Sequence, residues 1–130
     1  MGRFVIPIKV SNILHPDHTF ECRTLVDTGA SGFFLPEAWR DRVGPLEIYG
    51  MKSLLLGDQR VIEAQSCGPV RVDILGFHPI VTPLTFLPLE PEEGDYLAIL
   101  GFIPLEQAGA AVDCLNQRLI KVPFELRRAG

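Results

Sequence analysis

Short stretches of alternating or wholly apolar residues, cut apart by Pro and Gly, run the length of the chain. Arg3–Val10 alternates and predicts a strand. Phe20–Val26 alternates at first, then becomes wholly apolar, which predicts a second strand running into the interior. Between them Ser11–Thr19 carries Asn12, Pro16 and Asp17, the residues of a hairpin loop. Phe33-Phe34-Leu35 is a short apolar run. Pro36–Val43 follows with Pro at its start, an acid in its first turn and Gly44 beyond it, the signature of a short helix. Leu46–Leu56 and Arg60–Gln65 flank Gly57-Asp58-Gln59 and predict a hairpin.

Val70–Leu75 alternates Val70, Val72 and Ile74 with Arg71 and Asp73. Ile80–Leu87 is a further strand, in which Pro83 points to an edge or a break. Leu97–Leu100 is wholly apolar and stops at Gly101. Pro104–Ala108 makes one or two helical turns, with Gly109 beyond. Ala111–Leu115 and Arg118–Val122 form a closing hairpin around Asn116-Gln117. About eight or nine short strands with one or two short helices give an all-β chain. No linker or low-complexity stretch interrupts it, so residues 1–130 read as one domain.

Composition narrows the field. Hydrophobic residues make up 47% and charged residues 22%, as in a folded globular protein. The net charge of −4 and pI near 5.3 imply no basic face, which sets nucleic acid aside as a partner. The apolar runs are too short to span a membrane. The N-terminus lacks the apolar stretch of a signal peptide, and Met1 is consistent with an independently translated chain. Cys22, Cys67 and Cys114 are odd in number and show no CxxC spacing. Free thiols in a reducing compartment, the cytoplasm, follow.

No cofactor is implied. His15-x-x-His18 lies in a loop without a second ligand pair, and His78 stands apart, so no metal site is expected. Ser31 has no His partner for nucleophilic catalysis. Glu90, Glu92, Glu93 and Asp95 read as a solvated loop, and Trp39 as a core or interface anchor.

One segment carries chemistry: Leu25-Val26-Asp27-Thr28-Gly29-Ala30-Ser31. A carboxylate stands at the end of an apolar strand, followed by Thr and by small residues. A tight structural turn accounts for the pattern, since Asp and Gly are turn residues. A catalytic acid accounts for it too. The carboxylate is partly desolvated, remains within reach of backbone donors, and has beside it a Gly that a ligand backbone approaches closely.

This segment resembles the signature of the retropepsin-like aspartic proteases, the single-domain relatives of pepsin found in retroviruses and many bacteria. The resemblance runs roughly from Phe4 to Lys121. Its second specific part is Ala98-Ile99-Leu100-Gly101, which is similar to the family's downstream apolar-apolar-Gly element. Leu25–Gly29 and Ile99–Gly101 form a faint internal echo. Phe102–Gly109 and Ala111–Leu119 are similar to the helix and closing hairpin of bacterial members.

The resemblance implies a small closed or partly open β-barrel of the acid-protease type, one lobe per chain. Asp27 would be the catalytic acid, and Thr28, Gly29, Ala30 and Ser31 would support its loop. Ile99, Leu100 and Gly101 would form the partner loop beside it. Leu56, Gly57, Asp58 and Gln59 would be the tip of a flap closing over a peptide or protein substrate, although here Gly57 precedes the Asp where many relatives place Gly after it. The chain has no other Asp-Thr-Gly or Asp-Ser-Gly, and Asp58, Asp73, Asp95 and Asp113 lack such surroundings. Two carboxylates sharing one proton would therefore need a homodimer with both copies of Asp27 on its axis. Phe4–Val10 and Leu119–Phe124 would be its interface strands, or else ordinary internal sheet. Two rivals stay open: a non-catalytic dimerisation or peptide-binding module on the same fold, and an unrelated β-barrel with a solvent-facing Asp27.

Overall fold

A computed structural model gives the structure of residues 3–124. Its strands are β1 (Arg3–Asn12), β2 (Thr19–Asp27), β3 (Phe33–Pro36), β4 (Glu47–Leu55), β5 (Val61–Asp73), β6 (Ile80–Leu87), β7 (Ala98–Leu100), β8 (Ala110–Asp113) and β9 (Arg118–Lys121). Two helices are short: α1 (Arg40–Val43), entered through a 3₁₀ turn at Glu37–Trp39, and α2 (Phe102–Gln107). The main sheet runs β1-β2-β7-β3-β6-β5-β4, and a further pairing of β1 with β5 closes six strands into a barrel. β4 lies outside the ring as the partner of β5. β8 and β9 form a separate two-stranded ribbon. No helix among the described residues is long and apolar enough to cross a membrane.

The alternation in sequence becomes the two faces of the staves. In β1, Phe4, Ile8 and Val10 turn inward, and in β5 Val70 and Val72 do the same. They meet Val26, Phe33, Leu35, Leu84, Phe86 and Leu100 in one core. Trp39 belongs to it, with its ring edge-on to Phe20 at 6.0 Å between centroids. Asn12 is fully buried yet satisfied. Its amide donates to the carbonyls of Val43 (2.8 Å) and Pro45 (2.6 Å), and its oxygen accepts from the N–H of Leu14 and His15. That residue fastens the β1–β2 loop to the end of α1.

Two expectations are corrected. Arg60–Gln65 and Val70–Leu75 are parts of one strand, β5, and Gly68-Pro69 does not end it. Of the two readings of Pro83, the edge is overturned, since β6 pairs with both β3 and β5, while the break is seen as a shift in the β5–β6 register there. The two exceptions explain each other. The β5–β6 register shifts between Cys67 and Val70, so Pro83 faces the bulge, where no ladder hydrogen bond is asked of it. Gly68 belongs there because a Cβ would lie 3.2 Å from the Pro83 Cα, at a φ of +158°.

The terminal strands are placed as follows. Phe4–Val10 is a barrel stave, hence internal sheet, while Leu119–Lys121 pairs with β8. The three cysteines are free, Cys67 buried and Cys114 exposed. Burial pushes the Cys22 thiol up to about 12, against the opposing pull of Arg42, and burial raises Cys67 as well. At pH 8 a thiol reagent should therefore label Cys114 alone in the folded chain and all three thiols after denaturation. Leu35, with none of its surface exposed, should cost about 2–5 kcal/mol when replaced by Ala, read as a lowered midpoint in urea unfolding.

Candidate active site

The site is built by one topological fact. β7 enters between β2 and β3, parallel to β2 and antiparallel to β3. β2 and β3 are joined by the short loop that begins at Asp27, so their ends stand about 10 Å apart, two strand spacings. The loop must bridge that gap, and the chain leaving β7 must pass beneath it. The echo in sequence is thereby side by side in space: Leu25 pairs with Ile99, and Val26 with Leu100.

Gly101 makes the passage. A Cβ there would lie 2.5 Å from the Ala30 carbonyl oxygen and 2.6 Å from that of Gly32. No side chain fits, although the backbone of Gly101 is extended and unstrained. The same closeness makes hydrogen bonds. The N–H of Gly101 donates to Gly32 O (2.8 Å), that of Phe102 to Ala30 O (2.9 Å), and that of Ile103 to Ser31 O (3.1 Å). The opening N–H groups of a helix have no partners within it, and α2 has no capping side chain. The carbonyls of the Asp27 loop take that role.

Asp27 closes β2, half-buried, opposite Arg3 in the register of β1. Its Oδ1 accepts the Gly29 N–H at 2.9 Å, and its carbonyl accepts the Ala30 N–H at 3.1 Å. The carboxylate is thus bound back onto its own loop and given a fixed direction. Thr28, Gly29 and Ser31 are exposed, and Ala30 is half-buried.

The β4–β5 hairpin stands beside this loop. Leu54 and Ile62 on its inner face pack with Phe34, Ala64 and Leu87, and Ala30 and Ile99 join the same cluster. Between the stem and the loop lies a cleft of about 290 Å³, bordered by Ser31, Gly32, Phe34, Lys52, Leu54 and Ile103. At the tip, half-buried Leu56 and exposed Gly57, Asp58 and Gln59 form a turn closed by Leu56 N–H to Arg60 O (2.8 Å) and Gln59 N–H to Leu56 O (3.0 Å). Gln59, not Gly57, holds the left-handed backbone, at φ 72°. The Asp58 carboxyl lies below its usual range because the Arg60 N–H and guanidinium bond to it. The structure joins the stem of this hairpin to the Asp27 loop through shared packing; the tip residues take no part in that cluster.

No protein-family model matches the chain, and no characterised protein matches it by sequence. Solved structures do. The EIAV protease complexed with the inhibitor HBY-793 superposes with a TM-score of 0.63, covering 85% of this chain and 92% of that one at 21% identity.

The fold is that of the retroviral-type acid proteases.

Within that acid-protease fold the other aspartates weighed in the sequence lie apart from Asp27 in register, and two of them have local side-chain partners besides Asp58. Asp73 pairs with Arg71, and Asp113 accepts from Asn116 and Arg118. Asp95 sits in a bridge with Glu92, in the loop read as solvated. Among the described residues no group of His, Cys, Asp and Glu converges as metal ligands. Reasoning from sequence missed Gly32, Phe34, Lys52, Leu54, Ile62 and Ile103. A signal existed for two of them: Lys52 and Leu54 fall on one face of an alternating strand.

Gly101→Ala should destabilise the fold by about 1–3 kcal/mol in denaturant unfolding, through displacement of the Asp27 loop. Gly57→Ala, in open space at the hairpin tip, should be nearly neutral in the same measurement.

Proposed function

We propose that the protein is an aspartic endopeptidase, active as a homodimer that places two copies of Asp27 on its axis. The observation that carries this reading is the Asp27-Thr28-Gly29 loop itself. Its carboxylate is held by the Gly29 N–H and its backbone is clamped to α2, within an acid-protease fold. The chain holds one such motif, so the second carboxylate comes from a second copy.

The chemistry follows from two carboxylates in contact. They cannot both ionise comfortably, so they share one proton and titrate as a pair. The ionised member draws a proton from water as the water attacks the peptide carbonyl carbon. The protonated member donates to the carbonyl oxygen, giving a tetrahedral diol. Return of the protons releases the amine and the acid. Thr28, exposed on the loop, would bond across the axis to the opposite loop. Ile99, Leu100 and Gly101 support the loop from below. Leu56–Gln59 would close over the substrate and exclude water.

The helix Phe102–Gln107 and the β8–β9 ribbon support a bacterial-type member of this group. The three unpaired cysteines, Cys22, Cys67 and Cys114, support a reducing compartment such as the cytoplasm.

Cleavage of an unstructured protein substrate tests the reading. The rate per chain should rise with protein concentration until the dimer saturates, and its pH profile should be bell-shaped. Asp27→Asn should lower the rate at least about a hundred-fold while leaving the dimer intact in sedimentation. A wild-type protein that dimerises but cleaves nothing would favour the non-catalytic peptide-binding module. A monomer at all concentrations would sink the shared site.

A further inference from the structure

The cleft beside the Asp27 loop has a marked chemistry. Its volume of about 290 Å³ corresponds to roughly ten water molecules, ample for one extended side chain. Phe34, Leu54 and Ile103 give it apolar walls. Lys52 is the only charged residue lining it among those described.

Register explains why Lys52 is there. In the β4–β5 hairpin Lys52 pairs with buried Ala64, and Leu54 pairs with Ile62. Alternation places these four on the inner face, the one that packs toward Phe34 and Leu87. Ser53 and Glu63, bonded to each other, fall on the outer face. The carboxylate nearest in register is therefore turned away from the cleft. The ion pairs of the described residues join Arg40 to Glu37, Arg60 to Asp58, Arg71 to Asp73 and Arg118 to Asp113, and leave Lys52 out. Lys52 is exposed as well as lining the cleft, so its ammonium can stay in water while its stem lies along the apolar wall.

We propose that this cleft is a specificity pocket and that Lys52 selects substrates bearing a carboxylate near the cleaved bond. This rests on the reading of Asp27 as the catalytic acid. The methylene stem of a Glu side chain suits Phe34 and Leu54, and its carboxylate reaches the Lys52 ammonium. The net charge of −4 gives the protein no general attraction for acidic peptides, so such a preference has a local origin. Because the ammonium is solvated, the pair is worth a modest factor, about two- to five-fold, and weakens with salt.

The test uses one cleavable peptide, varied as Glu, Gln or Lys at each position around the scissile bond, with free and amidated C-termini. For the wild-type protein, kcat/KM should be about two- to five-fold higher for Glu than for Gln at one position, and the gain should shrink in high salt. Lys52→Glu should reverse the order of the Glu and Lys peptides. If the gain follows the free C-terminus over the amide, with Glu and Gln alike, the recognised carboxylate is a chain terminus; if it follows Glu over Gln, it is a side chain. Either result supports the proposal. Equal rates for Glu, Gln and Lys with free and amidated termini alike, or a preference unchanged in Lys52→Glu, would overturn it. If no peptide is cleaved, the catalytic reading has failed, and the same peptides are compared by binding to Asp27→Asn protein. There, tighter binding of Glu peptides that Lys52→Glu abolishes upholds carboxylate selection, and its absence refutes it.

Discussion

Three backbone hydrogen bonds, from Gly101, Phe102 and Ile103 to the carbonyls of Gly32, Ala30 and Ser31, hold the site together. Each adds only about 0.5–1.5 kcal/mol net. Losing them costs more, because the helix N–H groups and the loop carbonyls would both be left without partners. The bonds exist because β7 runs between the two strands that the loop connects. Gly101 is the one residue small enough to pass at that distance. The loop that orients the Asp27 carboxylate is therefore held in place by a residue far away in sequence.

The other half of the site depends on a hairpin rather than on the barrel. β4 lies outside the closed ring and is anchored through β5. Its inner face carries Leu54 down onto the cluster of Phe34, Ala64 and Leu87, while Leu55, Val61 and the tip remain exposed. The stem is tied to the core and the tip is not. That gradient of packing suits a rigid base with a movable end. The tip closes through Gln59 in a left-handed conformation and through the Asp58–Arg60 pair, both of them local devices.

Much of this was legible in the chain. The alternation of Arg3–Val10 and Phe20–Val26 and the wholly apolar Phe33–Leu35 each marked a strand, because burial on one face or both leaves that trace. The all-β class followed from these strands, and the acid-protease fold from the resemblance carried by Leu25–Ser31 and Ala98–Gly101. Where reading failed, the cause was a contact between distant residues. Arg60–Gln65 and Val70–Leu75 read as separate strands and Pro83 as an edge or a break, yet Gly68 and Pro83 accommodate each other across the β5–β6 ladder. Neither residue alone carries that information. The inward turn of Lys52 depends on what covers that face of β4. The nearness of Gly101 to the Asp27 loop came from family resemblance, since periodicity says nothing of which strands are neighbours.

The threading of β7 also bears on how the protein is made. Thr24 and Ala98 are partners, so the strand that completes the loop's support arrives about seventy residues after the one it joins. Such distant pairings pay loop-closure entropy before any contact repays it, and they form late. As the chain emerges from the ribosome, Asp27 appears early but lies on an unsupported turn until β7 and α2 follow. The Asp27 loop is thereby incomplete in the nascent chain until the strand and helix that support it have been made.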